Sequence, residues 1–231
     1  MNIIALSIGR LVNKHTGVDL NLRSIAGISL GLAYLLLATP MARGWLEVTM
    51  SSHMLVQIPL LAAMGFLAVR VLPKVRQQAL LTTLGGGLPC VLLAAIASTY
   101  WMLPRALDAA LATPLVEVAK FVTLPVLVGA PLSLAWQRLS IIVRGVIWTN
   151  FISMLAVLGW LYIVAPVRVC NNYSVFEQER AGWLMVILAV SLFLAWLCRL
   201  FVGSAPLRQA IDGRRESDVT TTEVIVVSQQ A

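Results

Sequence analysis

The chain has 231 residues, of which 59% are hydrophobic and 12% charged, with a formal net charge of +7 and a mean hydropathy of +0.88. Soluble domains lie nearer half apolar and a quarter charged, so an ordinary soluble globule is excluded, because so few charges cannot cover its surface. The basic residues are scattered between apolar segments and form no stripe beside stacking aromatics, which excludes a nucleic-acid-binding face and reads as the loop bias of a multi-pass membrane protein.

In chain order, residues 1–24 read as a cytoplasmic amphipathic segment. Ile3, Ile4, Leu6, Ile8, Leu11 and Val12 accompany Arg10 and Lys14, a mixture suited to a membrane surface. The apolar run precedes the basic residues, the reverse of a secretory signal. Residues 25–203 read as the transmembrane domain. A spanning helix needs about 20 mostly apolar residues, and six segments qualify: 25–41, 51–72, 80–103, 115–136, 146–165 and 182–202. The predicted fold class is therefore all-α, an integral membrane bundle of about six transmembrane helices, since unpaired backbone groups cannot face lipid. Gly85, Gly86, Gly87 and Pro89 fall early in the third segment. They lack the Lys-Ser/Thr of a phosphate loop and predict close packing or a kink. Pro59, Pro125 and Pro131 predict kinks inside their spans. Residues 204–231 read as a polar, flexible cytoplasmic tail.

Charge sets the expected orientation. Arg10, Lys14 and Arg23 precede the first span, Arg70, Lys74 and Arg76 follow the second, Arg138 and Arg144 follow the fourth, and Arg199, Arg208, Arg214 and Arg215 follow the sixth. The alternate loops are poorer in basic residues and hold Glu47, Asp108, Glu117, Glu177 and Glu179. This alternation predicts both termini inside, with Trp45, Trp101, Tyr173 and Trp183 as an aromatic belt at the outer interface.

Polar residues that are costly to bury collect at that outer end. His53 and Gln57 stand four apart on one helix face, with Met50 a turn before His53 and Met54. Met102 and Asp108 close the third span, Glu117 and Lys120 open the fourth as an expected ion pair near the headgroups, and Cys170, Gln178 and Glu179 lie in or beside the last outer loop. Met, His and Cys together suit Cu(I), whose affinity is for soft donors. Cys90 and Cys198 read as small buried hydrophobes. An odd cysteine count without CxxC argues against a disulfide framework. No Ser-His-Asp or Cys-His arrangement and no HExxH is visible, so the chain does not read as an enzyme.

Three stretches resemble CtaG-type cytochrome c oxidase assembly factors. WMLPRALDAALATP, residues 101–114, matches that family's Trp-His-x-Pro run and Asp-Ala-Ala-Leu at Trp101, Pro104, Asp108, Ala109, Ala110, Leu111 and Pro114. MSSHMLVQIPLLAAMGFL, residues 50–67, is similar to its His-Met-rich helix, and FEQERAGWLMV, residues 176–186, to its acidic-Gln loop before the last helix. The resemblance implies a multi-pass protein of a bacterial inner membrane that supplies copper to a haem-copper oxidase, with the site facing the periplasm. The chain departs from the pattern in three segments: Met102 replaces a His, Glu117 and Lys120 replace histidines opening the next helix, and His53 alone remains in its helix beside Gln57.

The expected function is Cu(I) handling. His53 and Met54 are the expected primary ligands, Met50 and Met102 thioether support, and Cys170 a mobile donor. Gln57, Asp108, Glu117, Gln178 and Glu179 are supporting polar residues, with Asp108 capping a helix or orienting a ligand. A protonated Lys120 cannot ligate and repels a cation. The expected partners are lipid and an oxidase subunit or another membrane complex. The alternative is a metal-free accessory subunit of such a complex. A small transporter ranks lowest, because no internal repeat is visible.

Overall fold

The computed structural model describes residues 22–202. The expected amphipathic lead-in up to residue 21 and the expected tail from residue 204 lie outside the described residues. The helices, in chain order, are α1 (Leu22–Leu37), α2 (Pro40–Leu46), α3 (Met50–Val71), α4 (Lys74–Thr83), α5 (Gly87–Met102), α6 (Pro104–Ala112), α7 (Pro114–Trp136), α8 (Ile141–Val164) and α9 (Val175–Val202). No strand occurs among the described residues. α3, α7, α8 and α9 are each long and apolar enough to cross a membrane, and the number rises to six if each of two bent pairs is one span. The chain is an all-α, multi-pass membrane bundle.

Local chemistry sets the boundaries. α2, α6 and α7 begin with a proline, whose missing N–H is not needed in a first turn. Thr39, Thr49 and Ser140 cap helices by accepting backbone N–H groups of Ala42, Ser52 and Val143. α1 and α2 bend by 69°, and α4 and α5 by 77°. The second bend falls at the glycines, where close packing or a kink was expected. Residues 80–83 belong to α4 and Gly87 opens α5, so the expected third span is broken there. Gly85 and Gly86 have φ of 78° and 102°, and their N–H groups reach back to Thr82 and Leu81 carbonyls. This is a helix stop that glycine supplies without steric cost.

The intramembrane prolines are absorbed by π turns. Residues His53–Gln57 of α3 and Leu124–Gly129 of α7 are wound as π-helix. The carbonyl four residues before Pro59 belongs to Leu55, and that before Pro131 to Leu127, so each π turn holds the backbone with which a proline ring would clash. Pro125 deprives the Phe121 carbonyl of its usual donor, and the Tyr34 hydroxyl of α1 donates to it at 2.8 Å.

Glycine lets the spans touch. A Cβ on Gly65 would lie 2.0 Å from the Pro125 carbonyl oxygen, and one on Gly129 would lie 2.0 Å from that of Ala62. α3 and α7 therefore meet backbone to backbone. α8 and α9 do the same at Gly159 and Gly182, where added Cβ atoms would approach the opposite carbonyl to 2.8 and 2.7 Å. The larger core holds Met50, Met54, Met102, Phe121, Tyr162 and Met185, while a smaller one near the other end joins Val69, Leu81, Cys90 and Leu134.

Candidate functional site

The most concentrated polar chemistry lies where α3 and α7 begin. The π turn presents His53 and Gln57 inward, both fully buried. Lys120, two turns into α7, is also fully buried. Its ammonium stands 2.8 Å from Glu47 Oε1, 3.1 Å from Gln57 Oε1 and 3.2 Å from His53 Nε2. Three donors thus meet three acceptors.

The rest of the circuit fixes each polarity. The Tyr173 hydroxyl donates to the Glu47 carbonyl at 2.9 Å and lies 3.1 Å from His53 Nδ1. With its proton spent on that carbonyl, the hydroxyl oxygen accepts from Nδ1–H. Nε2 is then the lone-pair nitrogen and accepts from Lys120. The Gln57 amide donates to Glu47 Oε1 at 2.9 Å. Burial pushes the Glu47 carboxyl up, but hydrogen bonds from Lys120 and Gln57, with the charge of Lys120, outweigh it and hold the group below its ordinary value. Burial, with the charge of Glu47 next, pushes the Tyr173 hydroxyl up, so it remains a donor.

The expected Glu117–Lys120 pair does not form. Glu117 bonds Arg43 of α2 at 2.8 Å, while Lys120 takes Glu47 just after α2. Two ion pairs therefore clamp α2 against α7. Trp101 and Tyr173 are buried within the bundle rather than on its outer surface, and the Trp101 indole donates to Thr123 at 2.8 Å. Trp45 and Trp183 are exposed, as a belt requires.

Other expected site residues hold a loop. Asp108 accepts from the Asn171 N–H at 2.8 Å and the Asn172 side-chain amide at 3.2 Å, so it anchors the segment between α8 and α9. Buried Gln178 accepts from the Val169 N–H at 2.8 Å and donates to the carbonyls of Tyr162 and Val167. Burial, the Asp108 charge next, pushes the Cys170 thiol up to about 12, against a smaller pull from Tyr162. It is therefore protonated at neutral pH, whereas the thiolate is the metal-ligating form. Glu179 is exposed. Cys90 and Cys170 are buried, whereas Cys198 is exposed, against expectation.

Met50, Met54 and Met102 are buried in the same core. Among the described residues no three His, Cys, Asp or Glu side chains converge as a metal-binding group. A copper ion at His53 does not fit this donor set. Both ring nitrogens are committed, and one faces an ammonium 3.2 Å away. Glu47 and Tyr173 were missed as site members because they join His53 only through the fold. No family model matches the chain, and no curated protein or solved structure gives a significant match.

Proposed function

We propose that the chain is a metal-free accessory or assembly protein of a larger membrane complex, a diverged relative of the oxidase assembly factors it resembles. In this reading Lys120 supplies a tethered cation at the centre that a metal ion would otherwise occupy. The observation that carries it is the fully buried ammonium, with all three protons accepted by Glu47, Gln57 and His53. A buried charge this well matched sustains a fixed helix arrangement but offers no open position to a cargo. The α8–α9 hairpin adds support, since only 6% and 11% of their apolar windows are buried within the chain, leaving wide faces for lipid or neighbouring helices. The reading includes both termini in the cytoplasm of a bacterial cell and the polar centre toward the periplasm.

Cu(I) handling is the second reading. It is favoured by Met50, Met54, Met102 and His53 lying in one buried region of the bundle. One measurement separates the two. Protein purified in detergent and challenged with Cu(I) against a chromogenic chelator is expected to retain no copper, and His53→Ala and Met102→Leu are expected to match the parent. One chelator-resistant copper per chain, weakened in both variants, overturns the metal-free reading. Migration of the mildly solubilised protein only as an isolated chain overturns the accessory role.

A further inference from the structure

The end of the bundle opposite the polar centre carries a second feature. A groove of about 580 Å³ runs between α1 and the last turns of α3. Ala26, Leu30 and Ala33 line one wall, and Leu67 and Val71 line the other. The helices are close at its mouth, where a Cβ on Gly27 would lie 3.5 Å from Val71 Cγ1. Arg23 and Arg70 both line the groove, one at the start of α1 and one at the end of α3.

Neither arginine pairs with an acid among the described residues. The Arg70 guanidinium lies 5.0 Å from the centre of the Phe66 ring, which orients it and leaves its N–H edge open. Every described acidic residue, Glu47, Asp108, Glu117, Glu177 and Glu179, belongs to the other end or its loops. Among the described residues the groove therefore couples two arginines without an acidic partner to an apolar slot. Its depth fits one kind of ligand. From Arg23 to Ala33 the helix rises roughly 15 Å, half of the roughly 30 Å hydrocarbon thickness. That is the reach of one acyl chain in one leaflet.

We propose that this groove binds one anionic phospholipid, with its phosphate held between Arg23 and Arg70 and an acyl chain lying along Ala26, Ala33 and Leu67. Residues 1–21 and 203–231 are the other candidate occupants: the first carry Arg10, Lys14 and Asp19, the second Asp212, Glu216, Asp218 and Glu223 with Arg208, Arg214 and Arg215. The one-leaflet length of the slot selects the lipid over them, and a full chain that retains no added phosphatidylglycerol would assign the groove to one of these segments instead.

Native mass spectrometry of the full chain in detergent, titrated with phosphatidylglycerol and phosphatidylcholine, tests this. One phosphatidylglycerol per chain is expected to be retained over phosphatidylcholine. The Arg23→Gln/Arg70→Gln variant is expected to bind it about twenty-five-fold more weakly, from roughly fivefold per cationic side chain. Arg76→Gln/Arg199→Gln removes the same charge elsewhere at that end and is expected to bind like the parent. Ala33→Phe fills the slot and is expected to weaken binding with both arginines intact. Equal loss in the two charge variants, or unchanged binding in Ala33→Phe, overturns the site. Full displacement by inorganic phosphate also overturns it, by assigning the arginines to a free anion. Copper retention by the parent would leave this result untouched.

Discussion

At the scale of single residues, the polar centre depends on a match between one ammonium and its acceptors. Removing one partner of a buried pair costs about 3–5 kcal/mol, because the remaining charge stays out of water. Glu47→Gln is expected to lower stability by about 3 kcal/mol, the lower end of that range because Glu47 keeps some access to solvent. Lys120→Met should cost a comparable amount, and the double variant less than the sum, measured by unfolding in detergent. A pH dependence follows. The folded Glu47 carboxyl titrates below its ordinary value, so its stabilisation is complete above the usual carboxylate range and is lost as pH falls through the depressed value. The Glu47→Gln protein should lack this acid limb in a thermal-melt series. His53 and Gln57 were legible in the sequence because they stand four positions apart in one helix. The Lys120 partner was not, since Glu47 lies 73 positions away and no periodicity links the two. The nearer Glu117, one turn from Lys120, drew the wrong pairing.

At the scale of elements, the contact between α3 and α7 sets where those side chains meet. Gly65→Leu and Gly129→Leu each place a side chain where a carbonyl stands 2.0 Å from the Cβ, so the helices must part. Overpacking of this kind costs about 1–3 kcal/mol or more. Each variant should melt earlier than the parent, while Gly44→Leu, with open space around it, should not. Parent-like melting of Gly65→Leu would show that the two backbones are not in contact. The spans were largely legible, because apolar length is what a bilayer demands. At Gly85 to Gly87 the glycines signalled close packing or a kink, but not its size, because hydropathy runs on through a turn that redirects the chain by 77°. The π turns were signalled only indirectly, by Pro59 and Pro131 lying downstream of the widened backbone.

At the scale of the whole molecule, the two ends differ in charge, and the proposed orientation rests on that asymmetry. In a chain stripped of its native cysteines, Arg168→Cys should react with a membrane-impermeant maleimide from outside intact cells, and Arg76→Cys only after lysis. The reverse pattern would invert the proposed topology. Charge bias was readable residue by residue, whereas the clasp of Asp108 on Asn171 and Asn172 needed the fold to bring residues 63 and 64 positions apart together. The bend at Gly85 has a consequence for the surrounding lipid. It leaves α5 with 16 residues, whereas α9 has 28. At 1.5 Å per residue these are about 24 and 42 Å long, against a hydrocarbon layer of roughly 30 Å. The charged residues near the ends of α9 leave 18 uncharged positions, 181–198, which span about 27 Å and match that layer. α5 alone falls short of it, so the lipid beside the bend either thins or meets the last turns of α4 as part of a broken span.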